Sequence, residues 1–406
     1  MKILVLNTGS SSQKTCLYEL GDSLPEGPLA PLWQAQIEWS GPTKPAEVTV
    51  TNSQGAVFRE FLPIDSRAAA IRHMLEYLWK GTTKVIRTPS EIDIVGHRLV
   101  HGGQEFRQPT LVTTQVKASL AQLSELAPLH NLSELEGIQI IEKILGPVAQ
   151  VAVFDTAFHS QLPEASSVYP GPYEWVGEGI RRYGFHGINH QYCAQRAAHL
   201  IGKPLEALRL ITCHLGNGCS LAAVLNGRSI DTTMGFTPLD GLMMGSRSGS
   251  VDPGILTYLI RKHGYSADNL DEILNRKSGL QAISGVSNDM RQVLNAMAQS
   301  KPRAKLAFEM FIHRLRSHIG SMLAALSGLD ALIFTAGIGE NSATVRAAAC
   351  EGFRFLGLTL DPERNAQPLA DCDIATGDSA VRVLVIRAQE DWAIARECWS
   401  YSSGNS

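Results

Sequence analysis

The chain has 406 residues, of which 44% are hydrophobic and 18% charged, with a formal net charge of −3 at pH 7. That length is too great for a single core and fits two domains, each able to bury a substantial interior. The near-balanced charge, with no Lys/Arg cluster, implies no polyanion-binding surface, so no nucleic-acid partner is expected.

An apolar strand, Lys2 to Leu6, runs into Asn7-Thr8-Gly9-Ser10-Ser11-Ser12, and Thr15 to Tyr18 leave that turn. The opening apolar run is far too short for an export signal. Strands are expected over 34–39 and 47–51, then across Asn52-Ser53-Gln54-Gly55 to a third over 57–62. Asp65-Ser66 caps a helix through Trp79, with Ile71, Leu75 and Leu78 on one face. A strand over 92–99 delivers Arg98 and His101-Gly102-Gly103. Helices over 116–126 and 135–144 flank Ala127-Pro128-Leu129-His130-Asn131. A buried strand over 150–154 ends in Asp155-Thr156-Ala157-Phe158-His159. Ligands collect at the carboxyl ends of strands in open α/β sheets, so Arg98 and Asp155 are both placed to face a cleft.

The Pro-, Gly- and aromatic-rich stretch 162–183 reads as an irregular connection. It leads through Arg182-Tyr183-Gly184-Phe185-His186-Gly187 into a helix over 190–200. Next comes a hairpin around His214-Leu215-Gly216-Asn217-Gly218. Glycines on either side of Asn217 let the backbone approach a ligand and turn its N–H groups toward it, which is what a phosphate needs from a loop. Asn226-Gly227 closes a second tight turn. The polar, glycine-rich loop 237–249 carries Arg247, and loops of that length without their own structure are usually functional or disordered. Pro302 opens an amphipathic helix to Leu326 with Phe308, Phe311, Leu315, Ile319, Met322 and Leu326 on its buried stripe and Gly328 at its end. A strand over 331–334 runs into the turn Thr335 to Asn341. A last strand over 381–386, a helix over 390–398 and a frayed 402–406 complete the chain.

The seven cysteines contain no CxxC and read as reduced thiols of a cytoplasmic protein. Cys213, His214 and Cys219 match no common zinc spacing. The most apolar stretch, 319–339, includes Asp330 and several glycines, and reads as a buried helix and strand rather than a membrane span. Two copies of strand, small polar turn, strand suggest a duplicated α/β domain, although the repeat alone leaves two unrelated hairpins equally open. Gly337-Ile338-Gly339-Glu340 is not G-x-G-x-x-G, and no Walker A, kinase Gly-rich loop or HRD motif occurs. Three such turns with Arg98 and Arg247 on loops point to phosphate handling.

The stretches 7–12, 96–103, 127–131, 153–159, 182–187, 214–218, 244–249, 287–291 and 334–341 together resemble the acetate kinase family, the acetokinases of the actin, Hsp70 and sugar kinase superfamily. The resemblance spans essentially the whole chain in the family's order. It implies two duplicated actin-like ATPase (ribonuclease H-like) α/β domains flanking a nucleotide cleft. These would be residues 1–155, completed by the C-terminal helix 391–406, and residues 156–390. It further implies the reaction ATP + acetate ⇌ ADP + acetyl phosphate with Mg²⁺, for which Mn²⁺ substitutes, and a homodimer. A carboxylate has an unperturbed pKa of about 4–5 and is already an anionic nucleophile, so no general base is required. What is required is neutralisation of charge as one anion approaches another.

Arg98 and Arg247 meet that need through planar forks that clamp carboxylate or phosphoryl oxygens. The resemblance makes them catalytic together with His186, a donor to the transferring group, and Asp155, which acts through Mg²⁺ or by orienting an arginine. It assigns Val100, Leu129, His130, Phe185 and Pro238 to the acetate site. It assigns Lys14 and His214, Leu215, Gly216, Asn217 and Gly218 to the phosphates. Asp289, Met290 and Arg291, with Gly337, Ile338, Gly339, Glu340 and Asn341, go to the adenosine. Asn7, Asp155 and Glu390 are associated with the metal. Three departures stand out: Gln13 in place of an apolar residue, Leu132-Ser133 in place of a Pro-containing run, and Arg387 to Asp391 in place of Pro-Thr-Asn-Glu-Glu. The last leaves Glu390 or Asp391 as the metal ligand, Glu390 being favoured by register. The rival readings are a propionate or butyrate kinase of the same family and a non-transferring switch like an Hsp70 ATPase domain. The bulk of Val100 leans toward acetate.

Overall fold

The computed structural model describes residues 1–8, 12–39, 45–63, 66–123 and 128–404, the side chains of 128–130 excepted. The chain forms two compact units: unit 1 holds residues 1–157 and 389–406, and unit 2 holds residues 158–388. The sequence places these breaks at 155 and 391.

Unit 1 is built on a mixed sheet. Its strands are β1 (Lys2–Thr8), β2 (Ser12–Glu19), β3 (Trp33–Glu38), β4 (Ala46–Asn52), β5 (Val57–Leu62), β6 (Ile94–Leu99), β7 (Thr110–Leu111) and β8 (Ala149–Phe154). They lie in the order β5-β4-β3-β2-β1-β6-β8-β7. The β1–β2 hairpin is antiparallel, whereas β1, β6 and β8 run parallel, with Leu6 beside His97 and Arg98 beside Val153. One face buries Leu4, Leu6, Leu17 and Trp33 against Ile71, Met74, Leu75 and Ile141. The C-terminal helix Glu390–Ser402 packs on β1 and β6. Gly96 permits that approach: a Cβ there would lie 2.6 Å from both Cys398 Sγ and Ile394 Cγ2.

The helix Arg67–Glu76 is capped by Ser66, whose Oγ accepts from the Ala69 N–H at 3.1 Å, while Asp65 lies outside the described residues. The helix expected over 135–144 begins at Pro128 instead and runs to Leu145. Proline has no N–H to lose in a first turn and its φ is already helical. Leu129 and His130 therefore sit in the first turn of a helix and not on a connection.

Unit 2 carries β9 (Arg209–Leu215), β10 (Cys219–Leu225), β11 (Arg228–Thr232), β12 (Ala331–Thr335), β13 (Cys372–Asp373) and β14 (Arg382–Val385), in the order β11-β10-β9-β12-β14-β13. The β9–β10 hairpin is antiparallel and β9, β12 and β14 are parallel. The arrangement β3-β2-β1-β6-β8 thus recurs, strand for strand and sense for sense, as β11-β10-β9-β12-β14. Each copy ends on a two-residue antiparallel edge strand. Such correspondence is a duplication and not two unrelated hairpins, and the fold class is α/β with two duplicated actin-like domains.

The helix Pro302–Leu326 buries Phe311, Leu315, Ile319, Met322 and Leu326, with Phe308 only half-buried. It ends on Ser327, which takes the left-handed conformation at φ 53° in place of the expected Gly328, at φ 146°. The stretch after β12 is a short helix, Ala336–Asn341, where the sequence suggests a turn. Among the described residues no helix is long and apolar enough to cross a membrane.

Candidate active site

In unit 1 the parallel strands deliver Asn7 on β1, Arg98 on β6 and Asp155 just beyond β8. Arg98 Nη2 donates to Asp155 Oδ2 at 2.5 Å, and Arg98 Nε lies 4.0 Å from Glu390 Oε2 at the start of the C-terminal helix. Burial works against the guanidinium charge, but Asp155 and Glu390 more than offset it and hold Arg98 above the ordinary arginine value. Asn7 Nδ2 donates to Glu390 Oε2 at 3.2 Å and to Asp391 Oδ1 at 3.1 Å. Asp391 is also taken up by Lys14 Nζ at 2.5 Å. Lys14 therefore spends its charge inside unit 1. Gly9, Ser10 and Ser11 and the side chains of Leu129 and His130 lie outside the described residues.

Glu134 is a residue that sequence reasoning missed. It lies on the helix Pro128–Leu145, where 131, 134, 138 and 141 fall on one stripe that the sheet buries. Its Oε2 accepts from the backbone N–H of Val100 at 3.1 Å. Its Oε1 has no hydrogen-bond partner among the described residues. Burial pushes its carboxyl up to about 8, against the pull of the nearby Arg98. An acid in phase with Ile138 and Ile141 was the available signal.

In unit 2, residues 216–218 turn between β9 and β10, with the Gly216 N–H bonded to the Gly218 carbonyl at 3.0 Å. A Cβ on Gly218 would sit 3.5 Å from both Arg247 Nη1 and His186 Cε1; one on Gly216 would sit 3.7 Å from Ala336 Cβ and 3.8 Å from His214 Nε2. Four predicted residues, His186, His214, Gly218 and Arg247, thus meet at one loop. The His186 and His214 rings stack with centroids 4.0 Å apart and planes 10° off parallel. His186 and Ala336 both hold left-handed backbone, at φ 57° and 64°. Each such non-glycine position costs about 1–3 kcal/mol, and this kind of strain collects at ligand sites.

Arg247 donates through Nη1 to the Pro238 carbonyl at 3.2 Å. Among the described residues no carboxylate pairs with it, and burial lowers its pKa. Backbone N–H groups, imidazoles and an uncompensated guanidinium together make an anion site.

The loop opens on a cavity of about 500 Å³. Gly216 and Asn217 line it from the loop, Asp289, Met290 and Arg291 from a helix start, and Gly337, Ile338 and Asn341 from the short helix Ala336–Asn341. Asn288, Leu294 and Ser342 line it too and were missed, although Leu294 is one turn on from Met290 and Ser342 follows Asn341. Arg291 pairs with Asp289, Nη2 to Oδ2, at 2.6 Å. Gly339 and Glu340 do not line it: the Gly339 carbonyl accepts from Arg346 Nη1 and Glu340 Oε1 from the Ala388 N–H, both at 2.8 Å. Leu215 is fully buried, and Phe185 is buried with its carbonyl accepting from His159 Nε2 at 3.2 Å. Among the described residues no three His, Cys, Asp or Glu side chains gather to hold a metal ion, Cys213, His214 and Cys219 included.

A family model described as the acetokinase family matches residues 2–396. An acetate kinase of Nostoc sp. is 61% identical over 401 residues, covering 98% of this chain and 99% of the relative. One of Gloeobacter violaceus is 59% identical over 403 residues, covering 99% of each. The crystal structure of Porphyromonas gingivalis acetate kinase is similar at a TM-score of 0.90 and 39% identity, over 98% of this chain and 99% of that one. A propionate kinase from Francisella tularensis follows at a TM-score of 0.89 and 37% identity, with the same coverage.

Proposed function

The chain belongs to the acetokinase family, and from that premise we propose that it transfers the γ-phosphoryl group of ATP to acetate, giving acetyl phosphate and ADP, reversibly. It is a phosphotransferase with a carboxyl acceptor. One acetate oxygen forms the new bond to the γ-phosphorus as the bond to the bridging oxygen breaks, and ADP leaves with that electron pair. No proton needs to be removed from the nucleophile.

Arg98, held on one edge by Asp155, clamps the carboxylate and screens its charge from the phosphate. The resemblance assigns Val100, Leu129, His130, Phe185 and Pro238 to the methyl group of the acetate. Arg247, His186 and the N–H groups of Asn217 and Gly218 take the developing charge on the phosphoryl oxygens. His214 and Leu215 shape that loop, and Lys14, which the resemblance assigns to the phosphates, is held by Asp391. The 500 Å³ cavity takes the adenosine, with Met290, Leu294 and Ile338 as its apolar walls.

Mg²⁺ suits the acidic pair. Asp155 and Glu390 flank one guanidinium, offering two hard oxygen donors and leaving the other positions to water and phosphate, as this ion prefers. Asp155 and Glu390 would hold it, with Asn7 orienting Glu390, and Mn²⁺ would substitute. When bound, such an ion neutralises charge on the nucleotide phosphates. Asp391, committed to Lys14 and Asn7, is the weaker candidate. The helix Pro253–His263 buries none of its residues and exposes Ile255 and Tyr258 on one face, which a second copy of the chain would cover. All seven cysteines are free thiols, which supports a reducing cytoplasmic location.

The observation that carries this reading is the convergence of His186 and Arg247 on Gly218. Acyl phosphate formed from ATP and Mg²⁺, trapped with hydroxylamine across acetate, propionate and butyrate, tests it. The highest kcat/KM is expected with acetate. One methylene changes binding by only ~1–3 kcal/mol, so a preference for propionate would move the substrate and keep the chemistry. ATP binding without any acyl phosphate would leave the switch reading in front.

A further inference from the structure

Beyond His186, unit 2 holds a line of polar side chains that the proposed reaction does not use. His186 Nδ1 lies 2.9 Å from Ser220 Oγ on β10, and Ser220 Oγ lies 2.8 Å from His190 Nε2. His190 Nδ1 in turn lies 2.6 Å from Thr212 Oγ1 on β9. Ser220, His190 and Thr212 are all fully buried, so each link exchanges protons only with its neighbours in the line. A buried chain of this kind has two consistent arrangements. Either every proton points toward His186 or every proton points away from it, because each hydroxyl has one proton and each neutral imidazole one N–H.

The far end decides between them. If protons pointed away from His186, the Thr212 hydroxyl would have to donate to the Ala222 carbonyl, 3.4 Å away. That is the long edge of hydrogen bonding, whereas 2.6 Å to His190 Nδ1 is short even for an O–H donor. The Thr212 hydroxyl therefore donates to His190 Nδ1, and His190 Nε2–H donates to Ser220. The Ser220 hydroxyl then donates to His186 Nδ1. Burial, with His159 and His214 nearby, holds His190 well below the ordinary histidine pKa, so it carries one proton.

A second line agrees. Asn189 Nδ2 lies 2.8 Å from His214 Nδ1, and Asn189 Oδ1 is occupied by the Cys193 thiol at 3.6 Å. An amide nitrogen only donates, so His214 Nδ1 accepts and its ring proton is on Nε2 as well. The two stacked rings thus carry their N–H groups on the same atom. That atom lies 3.6 Å from the Cβ position of Gly218 for His186, and 3.8 Å from that of Gly216 for His214.

We propose that Ser220, His190 and Thr212 are positioning residues that fix His186 as the Nε2–H tautomer, so that it presents a donor and not a lone pair to the transferring phosphoryl group. This rests on the reading of His186 as a phosphoryl donor. With the other tautomer, Nε2 would aim a lone pair at anionic oxygens and repel them.

The test uses the full chain with ¹⁵N-labelled histidine. In the wild type without nucleotide, His186 and His214 both show an unprotonated Nδ1 and a protonated Nε2. Ser220→Ala gives a mixture of tautomers at His186 and leaves His214 unchanged. Its kcat falls about tenfold, as expected when one oriented proton donor is lost part of the time. KM for acetate and for ATP stays within about twofold, since ground-state binding is not what the tautomer controls. Ser220→Thr, which restores a hydroxyl, recovers most of kcat. If Ser220→Ala does not fold, Thr212→Val reads the same tautomer shift from the other end of the chain. A protonated Nδ1 at His186 in the wild type overturns the proposal, as does an unchanged tautomer in these variants. The nitrogen shifts are read without turnover, so failure to make acyl phosphate would remove the proposed function and leave the tautomer assignment standing or falling by itself.

Discussion

The strand ends of the two duplicated sheets have been put to opposite electrostatic use. At the ends of β1, β6 and β8 the side chains are charged and mutually compensated: Arg98 lies between Asp155 and Glu390, and Lys14 on Asp391. At the ends of β9 and β12 they are small or neutral, with glycines, imidazoles and the short helix Ala336–Asn341. Arg247, reaching this second group, has no carboxylate partner among the described residues. A carboxylate acceptor and a metal need opposite charges held apart in a fixed frame. A polyanionic tail needs donors and positive charge left uncompensated until it binds. One strand order serves both because the sheet dictates where side chains emerge but not their charge.

The comparison makes its largest claim at the two arginines, where stability and activity should part company. Arg98→Ala leaves the buried Asp155 without its guanidinium, a change that costs about 3–5 kcal/mol when one partner of a buried pair is removed. Acyl phosphate formation should fall about 10²–10³-fold or more in kcat, the loss typical of one oriented charge donor. Affinity for ATP, measured by titration of the folded variant, should change little. A variant as stable as the wild type would show that the compensated frame in unit 1 is illusory.

Arg247→Ala should lose activity on the same scale, about 10²–10³-fold in kcat. Its melting temperature should hold or rise, because a buried cation without a counter-charge opposes folding. Melting curves of the two variants side by side decide the matter. A drop for Arg247→Ala as large as that for Arg98→Ala would erase the distinction.

How much of this was open to reading from the sequence follows the same divide. Strand-and-turn punctuation and apolar periodicity located both sheets, because alternation and Gly/Asn turns are local properties of the chain. Arg98, His186 and Arg247 were legible through motifs in family order. Glu134 was not, since its importance comes from the sheet that buries its helix face, which no local window contains. That helix begins at Pro128 and not at residue 135 as expected, and proline at a first helical position is a local signal for such a start. No local window joins Ser220 on β10 to His190 on the helix Gly187–Ile201, and only the fold brings both into line with His186.

Acid should affect both units alike, which sharpens the contrast by what it does not distinguish. His97 in unit 1 and His159 in unit 2 are buried and held down to about 4 by that burial. Between pH 6.5 and 4 the unfolded chain binds protons that these folded sites refuse. Stability is therefore complete above about pH 6.5 and declines as pH falls toward 4, by up to about 3 kcal/mol per site. Urea melts across that range should show His97→Gln losing about one proton's worth of slope. An unchanged slope would mean that His97 titrates normally in the fold.

Gly218→Ala separates space from scaffold. The added Cβ meets Arg247 and His186 at 3.5 Å, ordinary contact that the fold tolerates, yet it fills the spot where those two side chains converge. The melting temperature should stay put while KM for ATP rises about tenfold, the effect of one displaced phosphate contact. Unchanged kinetics would show that the phosphate passes elsewhere.

The smallest effect is expected at Arg291, and it tests how far the uncompensated character of unit 2 extends. Arg291 is exposed, and its charge is already spent on Asp289, which holds that carboxyl below the usual range. Exposed pairs are screened by water and salt and contribute little. Arg291→Ala should therefore raise KM for ATP only about two- to threefold, by loss of planar contact with the base at the cavity's outer wall. It should leave kcat and the melting temperature unchanged, and the small KM effect should be similar for ATP and ADP, since neither adenine nor ribose differs between them. A larger effect that shrinks with added salt would mean instead that Arg291 leaves Asp289 for the phosphates, and that the neutral, receptive end of unit 2 reaches past Gly216 to the rim of the cavity.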